Sequence, residues 1–481
     1  MSTPTNGWTT DIATATPTLT GRLILRDEPG FEEAAVGRVF NARRPERRPA
    51  AVLFAETYDD LVAGVRLARE RGWQVVSRSG GHSWAAWGLR EEALLIDVHQ
   101  LNRISYDSAS GIATVDSGVR GGEQLAPFLA DRGRLFPGGH CPSVGVAGFL
   151  LQGGQGWCAR GFGWAAEYLV AIDVVTPDGE MVRADADHHS DLYWAARGAG
   201  PGFFGVIARF HLRTRPAPKA MSHSVLVFDI DDYRDVMSWL YATHAQVDPE
   251  VEIVAVSQRP PAELELPVPH DRHVLIVSAL AFKDTVEDAG KALAPIDSCP
   301  IGHRALFAVQ CAPTTLTEQY ASQYANNPDG HRYTVDNAWL DADAATSVEL
   351  LDEAFTTWAT PESFSLWFSM APLRALPDMA FSMQSEVYCA LYTVSADADT
   401  DTTTREWTDT QMRRLEPITA GQYLGDSDLT NRQVKFMSDE NFARLQQIRS
   451  AYDPDGLFVD YLTLDAATIN HNHWQQEGTL R

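Results

Sequence analysis

A chain of 481 residues, 44% hydrophobic and 21% charged, is long enough for two or three globular domains with cores of their own. A net charge of −25 argues against nucleic acid and anionic membranes, whose phosphates need clustered Lys and Arg. The five cysteines (Cys141, Cys158, Cys299, Cys311 and Cys389) are scattered without a CxxC pair, so neither a disulfide framework nor a metal site is expected. With no basic-then-apolar leader and no membrane-length apolar run, the expectation is a cytoplasmic protein with a polar tail over 1–25.

Residues 41–48 (NARRPERR) form a basic patch in this acidic chain. Val52–Phe54 reads as a strand. Thr57 with Asp60 is a capping box for a helix whose buried face is Leu61, Val62, Val65, Leu67 and Ala68, ending at Gly72. Gln74–Ser77 resumes a strand and runs into the turn Ser79-Gly80-Gly81-His82-Ser83. Strands follow near 94–98, 103–107 and 112–117, then a helix over 121–132. Residues 137–156 are glycine-rich, apolar and almost uncharged. Strands at 169–176 and 180–184 flank the turn Pro177-Asp178-Gly179, and a short helix covers 191–196. Val206, Ala208, Phe210 and Leu212 then alternate with polar residues as in a half-buried strand.

A proline-rich basic stretch at 214–222 marks a domain boundary. Beyond it, strands near 223–230, 251–257, 273–281, 364–371 and 386–394 interleave with helices near 231–246, 284–294 and 346–359. Thr346 and Glu349 read as a capping box for the last of these. Residues 395–405 read as an exposed loop, 438–451 as a helix and 453–456 as a turn. The expectation is an α+β protein: a first domain over 1–216, a second over 217–425 with an antiparallel sheet backed by helices, and a segment 426–481 returning to the first.

Gly200-Pro201-Gly202-Phe203-Phe204-Gly205 matches GxGxxG, but a helix precedes it and a strand follows, the reverse of a dinucleotide fingerprint. Two other glycine clusters, Ser79–Ser83 and Gly145–Gly156, suit a diphosphate, because glycine lets backbone N–H groups converge on phosphate oxygens. Arg78 adds positive charge beside the first. His82 lies in one cluster and Cys141 ahead of the other. Taken singly, they are a loop histidine and a small hydrophobe. His188 and His189, and likewise His471 and His473, lack a second ligand group, so no metal is expected. No GxSxG elbow is present.

The segments RSGGHSW (78–84), LLIDVHQLN (94–102), CPSVGVAGFLLQGGQGW (141–157), RGFGWAAEYL (160–169), VVTPDGEMV (174–182) and DLYWAARGAGPGFFGVIARF (191–210) resemble, in order and spacing, the PCMH-type FAD domain of the vanillyl-alcohol-oxidase superfamily, in particular the berberine-bridge-enzyme-like oxidases. Residues 441–458 resemble that family's closing helix and turn. The resemblance implies FAD attached covalently at His82 through the flavin 8α-methyl and at Cys141 through flavin C6, positions 59 residues apart. It implies cofactor contacts at Arg78, Ser79, Gly80, Gly81 and Ser83, then at Val144, Gly145, Gly148, Gly153 and Gly156, and finally at Gly205, Val206 and Ile207. Val144 stands where a small branched side chain is associated with oxygen access, which favours an oxidase.

The chain departs from the family pattern at Ala147-Gly148-Phe149, where Gly-Gly-His is usual. It departs again at Tyr423-Leu424-Gly425-Asp426, a shortened Tyr-x-Asn-Tyr, and at Asp460 or Tyr461, where an Asn is common. The base that many members carry corresponds here to Cys389 or Ala390. Tyr423 is therefore the candidate catalytic base, with Tyr388 and Tyr461 as rivals and Glu386 behind them. A tyrosine, with a pKa near ~10, would need a positive charge nearby. The implied reaction is hydride transfer from an alcohol or related C–H of a bulky natural product or sugar to flavin N5, with O2 reduced to H2O2. A dehydrogenase or cyclase that reacts poorly with oxygen, and a non-catalytic flavin-binding relative, stand as alternatives.

Overall fold

Short apolar runs too brief for helices build the first sheet of the computed structural model, which describes residues 19–261 and 264–462. Ala51–Phe54, Ala93–Asp97 and Gln74–Arg78 lie parallel in that order, with Arg22–Leu25 antiparallel on the outer edge. The crossover is the helix Tyr58–Arg71. Its capping box at Thr57 and Asp60 forms as expected, and Gly72 closes it at φ 67. The Asp60 carboxylate also accepts the Thr20 and Gly21 amides, which ties down the start of the chain.

A second, antiparallel sheet runs in the order Ile104–Asp107, Ile112–Asp116, Val206–Arg213, Leu169–Val175 and Met181–Asp185. The two sheets share one core, in which Leu53, Val65, Ile96, Val115, Ile172 and Phe210 are buried. The C-terminal helix Asp439–Tyr452 and the strand-like stretch after it pack on this half, where Val459 donates to the Val75 carbonyl.

The second half is one eight-stranded antiparallel sheet. Its order is Phe307–Thr314, Ala220–Asp229, Val274–Lys283, Val251–Gln258, Phe364–Ser369, Val387–Ser395, Arg332–Leu340 and Thr419–Gly421. Helices Tyr233–Thr243, Val286–Asp297, Ala344–Thr356 and Asp401–Leu415 cover one face. The other face turns toward the first domain and is aromatic. The period-2 alternation of a strand sorts Val387–Ser395 between them: Cys389 and Leu391 point to the helices, Tyr388, Ala390 and Tyr392 to the domain junction.

Several sequence expectations are corrected here. Residues 395–405 are no simple loop: the helix Asp401–Leu415 starts inside them, and three of its five buried residues are Thr404, Thr408 and Gln411, which carry no hydrophobic signature. The helix expected at 346–359 begins earlier, capped by Asp343, which accepts the Thr346 amide at 3.0 Å. Residues 121–125 form a wide π-type turn ahead of a helix limited to Ala126–Ala130. Strands Phe307–Thr314 and Arg332–Leu340 and helix Leu316–Asn326 were not expected. The first is a partly exposed edge strand, and the second buries Asp336 against Arg432. The basic patch at 41–48 is internal architecture: Arg43 bonds Asp428 and the Tyr333 carbonyl, Arg47 the Ala85 and Leu89 carbonyls, and Arg48 pairs with Glu32.

Candidate active site

The strand Gln74–Arg78 delivers the chain into the first glycine loop. Arg78 lines the cavity beside that loop, with its guanidinium held by other partners. It is buried, pairs with Asp97 at 2.7 Å and donates to the Ala34 and Ala35 carbonyls. The loop meets the second glycine cluster backbone to backbone. A Cβ on Gly80 would lie 2.5 Å from the Gly145 nitrogen, and one on Gly145 would lie 2.2 Å from Ser79 Oγ. Only glycine permits that approach. Among the described residues, the N–H groups of Ser79 to Ser83 find no protein acceptor.

These loops border a cavity of about 440 Å³ that continues between the two domains. Its wall includes Ser79, Gly80, Gly81, His82, Ser83, Cys141, Val144, Gly145, Gly148, Gly205 and Ile207. Gly153, Gly156 and Val206 are not part of that wall. A Cβ on Gly153 would strike the Phe381 ring at 2.6 Å, one on Gly156 the Pro137 carbonyl at 2.1 Å, and Val206 lies buried in its sheet opposite Val175. These three residues serve packing.

His82 is stacked on Phe40, with centroids 4.4 Å apart and planes 22° apart. Its Nε2 lies 3.0 Å from Ser143 Oγ. Burial pushes its pKa down to about 4, against a smaller upward pull from Ser143, so the ring is neutral near pH 7. Cys141 Sγ lies 3.6 Å from the same Ser143 Oγ, and burial pushes its thiol up. The geometry thus brings His82 and Cys141 to one hydroxyl that sequence reasoning passed over.

The candidate bases divide. Tyr461 is turned away from the cavity: its hydroxyl donates to the Ala199 carbonyl at 2.7 Å, and its ring packs on Phe436 and Phe442. Glu386 is exposed and outside the cavity wall. Tyr423 and Tyr388 both line it. The Tyr423 oxygen accepts the Gln155 amide at 3.1 Å, and burial raises its pKa with no Lys or Arg to oppose it. Tyr388 donates to Asp426 Oδ2 at 2.7 Å, and Trp84 Nε1 donates to Asp426 Oδ1 at 3.2 Å. Burial first, then the Asp426 charge, hold Tyr388 well above the usual phenol range. Asp426, visible in the sequence only as the end of a shortened motif, brings a carboxylate to these tyrosines.

Beside Tyr388, on the same face of the sheet, the wall carries the apolar Val254, Val256, Leu280, Phe364, Leu366 and Phe368 together with the polar Gln258 and Ser278. His140 pairs with Glu252 at 3.0 Å beside it. At the other end of the cavity stands Arg90, whose pKa burial depresses to about 10 and whose guanidinium has no carboxylate within 4.0 Å among the described residues. An undercompensated cation and a row of free N–H groups fit the diphosphate of a flavin dinucleotide.

Residues 49–185 match the family described as FAD binding domain, and residues 424–460 the family described as berberine and berberine like. The FAD-linked oxidoreductase janO of Penicillium janthinellum is 33% identical over 432 residues, spanning 89% of this chain and 94% of that protein. The chain belongs to these berberine-like FAD-linked oxidoreductases. As such it is an FAD-dependent enzyme, and its α+β fold is theirs. The 6-hydroxy-D-nicotine oxidase of Arthrobacter nicotinovorans superposes with a TM-score of 0.80 at 19% identity, covering 94% of this chain and 99% of that one. The glucooligosaccharide oxidase of Acremonium strictum, whose FAD is described as 6-S-cysteinyl and 8α-N1-histidyl, gives 0.77 at 20% identity over 93% and 97%. Among the described residues, no helix is long and apolar enough to cross a membrane, and no group of three or more His, Cys, Asp or Glu could hold a metal ion.

Proposed function

We propose that this oxidoreductase is an oxidase with bicovalent FAD, linked at His82 and Cys141, that oxidises an alcohol or related C–H of a bulky, largely apolar small molecule. The observation that carries this reading is a single cavity wall on which His82, Cys141, the Tyr388–Asp426 pair and the apolar strand faces meet. Bound FAD supplies the acceptor for a hydride and passes the electrons on to dioxygen. The protein's own tasks are to bind, orient and move a proton. Phe364, Leu366 and Phe368 offer an apolar face to a bulky ring system, while Glu252, Gln258, Ser278 and Gln319 on the same wall offer hydrogen-bond partners to its polar substituents.

The base assignment shifts from Tyr423 to the pair Tyr388–Asp426. Tyr388 is held protonated, so it is no standing phenolate. It works as a relay: its oxygen takes the substrate proton while its own proton passes to Asp426 over 2.7 Å. Tyr423 keeps its hydroxyl on the Gln155 amide and shapes the wall.

The test has two readings. Acid precipitation of wild type should leave flavin in the pellet. His82→Ala and Cys141→Ala should each retain it, and the double variant should release it. Screening apolar alcohols for hydrogen peroxide release, per bound flavin, then tests the oxidase assignment. Flavin reduction without peroxide would replace it with a dehydrogenase.

A further inference from the structure

His82 and Cys141 reach the flavin from different loops, yet one side chain touches both. Ser143 Oγ lies 3.0 Å from His82 Nε2 and 3.6 Å from Cys141 Sγ. The ring is fixed on its face by Phe40, stacked at 4.4 Å. The Ser143 backbone lies against the glycine contact, its carbonyl 3.3 Å from where a Gly80 Cβ would be. A ring held by its face and by Nε2 has one nitrogen left, Nδ1, with which no side chain makes a hydrogen bond among the described residues; the Ser143 backbone is the ring's other polar neighbour.

We propose that Ser143 is the positioning residue for flavin attachment: its hydroxyl holds the His82 proton on Nε2, leaves the Nδ1 lone pair for the flavin methyl carbon, and carries the proton that each linkage must release. This rests on the covalent reading above. The chemistry sets the need. Linking His82 forms one N–C bond and breaks one methyl C–H bond, and two electrons pass to the flavin and then to dioxygen. The carbon's hydrogen and the imidazole's N–H hydrogen leave as hydrogen peroxide. Linking Cys141 forms one S–C bond, breaks the S–H and the ring C–H bonds, and sends electrons and protons to the same acceptor. In each case a hydrogen must leave an enclosed heteroatom, Nε2 or Sγ. Ser143 Oγ, which both accepts and donates, stands at both. A neutral ring is already in the nucleophilic form, whereas a thiol raised by burial needs an acceptor for its proton.

The experiment compares two isosteres. Ser143→Thr keeps the hydroxyl; Ser143→Val has the same shape without it. Each full-length protein is purified with its native flavin, and mass spectrometry of its peptides gives the linked fraction at His82 and at Cys141 separately. Total FAD and melting temperature are measured alongside. S143T should match wild type. S143V should keep FAD bound and melt normally, with linkage at both residues reduced about tenfold or more. Full linkage at both residues in S143V, or a loss in S143T equal to that in S143V, overturns the proposal. An unlinked wild type overturns the covalent reading itself, and this is seen before any variant is made.

Discussion

Asp426→Asn isolates the proposed proton sink. The amide keeps the side chain's size and one acceptor oxygen for Tyr388 or Trp84, but it removes the charge. A phenol donating to a carboxylate at 2.7 Å makes a charge-assisted bond, worth about 1.5–3 kcal/mol. A positioned general base contributes about 100-fold or more in rate, which is about 2.7 kcal/mol. The two scales agree, so the rate of flavin reduction should fall about 100-fold in D426N and by a similar factor in Tyr388→Phe. Because the residues act as one relay, the double variant should lose little beyond either single, whereas independent roles would multiply to about 10⁴. Tyr423→Phe, whose hydroxyl only accepts the Gln155 amide, should stay within about threefold. The assay is anaerobic stopped-flow bleaching of the flavin by a substrate found in the peroxide screen, normalised to bound flavin. A wild-type rate in D426N, or a loss in Y423F as large as in Y388F, would refute the relay and return the base to Tyr423.

The glycine contact predicts that Gly145→Ala, whose new methyl would lie 2.2 Å from Ser79 Oγ and 2.5 Å from the Gly80 nitrogen, separates the two loops and yields protein with little flavin, read as the 450 nm to 280 nm absorbance ratio. Arg90→Met should weaken FAD binding about tenfold or more in a His82→Ala, Cys141→Ala background, by loss of a charge-assisted phosphate contact; flavin fluorescence on titration measures it, and unchanged affinity would remove Arg90 from the cofactor site. His244 and His273 are both pushed down to about 4 by burial. The folded protein keeps them neutral while the unfolded chain protonates them, so their contribution is complete above about pH 6.5 and is lost as pH falls toward about 4. Urea unfolding between pH 7 and 4.5 should show stability falling by up to about 2.7 kcal/mol per pH unit, with Asp297 and Asp409, whose carboxyls are raised, opposing in part. A flat profile would contradict the neutral assignment.

What was legible in the sequence was local. The Thr57–Asp60 capping box, the αL stop at Gly72 and the turn at Pro177–Gly179 act within a few residues, and each stands where the pattern put it. His82 and Cys141 stood out only through the resemblance of their surrounding segments to a known family, since each alone reads as a loop histidine or a small hydrophobe; the fold brings both to one cavity. The helix Asp401–Leu415 was hidden because its buried threonines satisfy themselves by bonds to carbonyls one turn back, as Thr408 does to Thr404, so a polar string packs as an apolar one would. Arg78 lines the cavity beside the loop, and only the fold shows in addition that Asp97 and the end of helix Phe31–Val36 claim its guanidinium.

The candidate base is the instructive case, because what the strand alone leaves open is a matter of parity and distance. Reading the strand Val387–Ser395 for a polar residue at the family's place led to Cys389 or Ala390, and neither can serve. Cys389 faces the covering helices, and Ala390 has nothing to titrate. The pleat instead presents Tyr388 and Tyr392 to the cavity, two residues either side of Ala390. A buried tyrosine on its own has too high a pKa to act, so the strand predicts a missing partner rather than a missing base. That partner comes from residue 426, 38 positions away, on the short 3₁₀ turn Leu424–Asp426. The shortened Tyr423–Asp426 segment thus supplies a carboxylate to Tyr388, and the same Asp426 takes the Trp84 indole N–H two residues beyond His82, so this pair and the His82 loop are held in one hydrogen-bonded array.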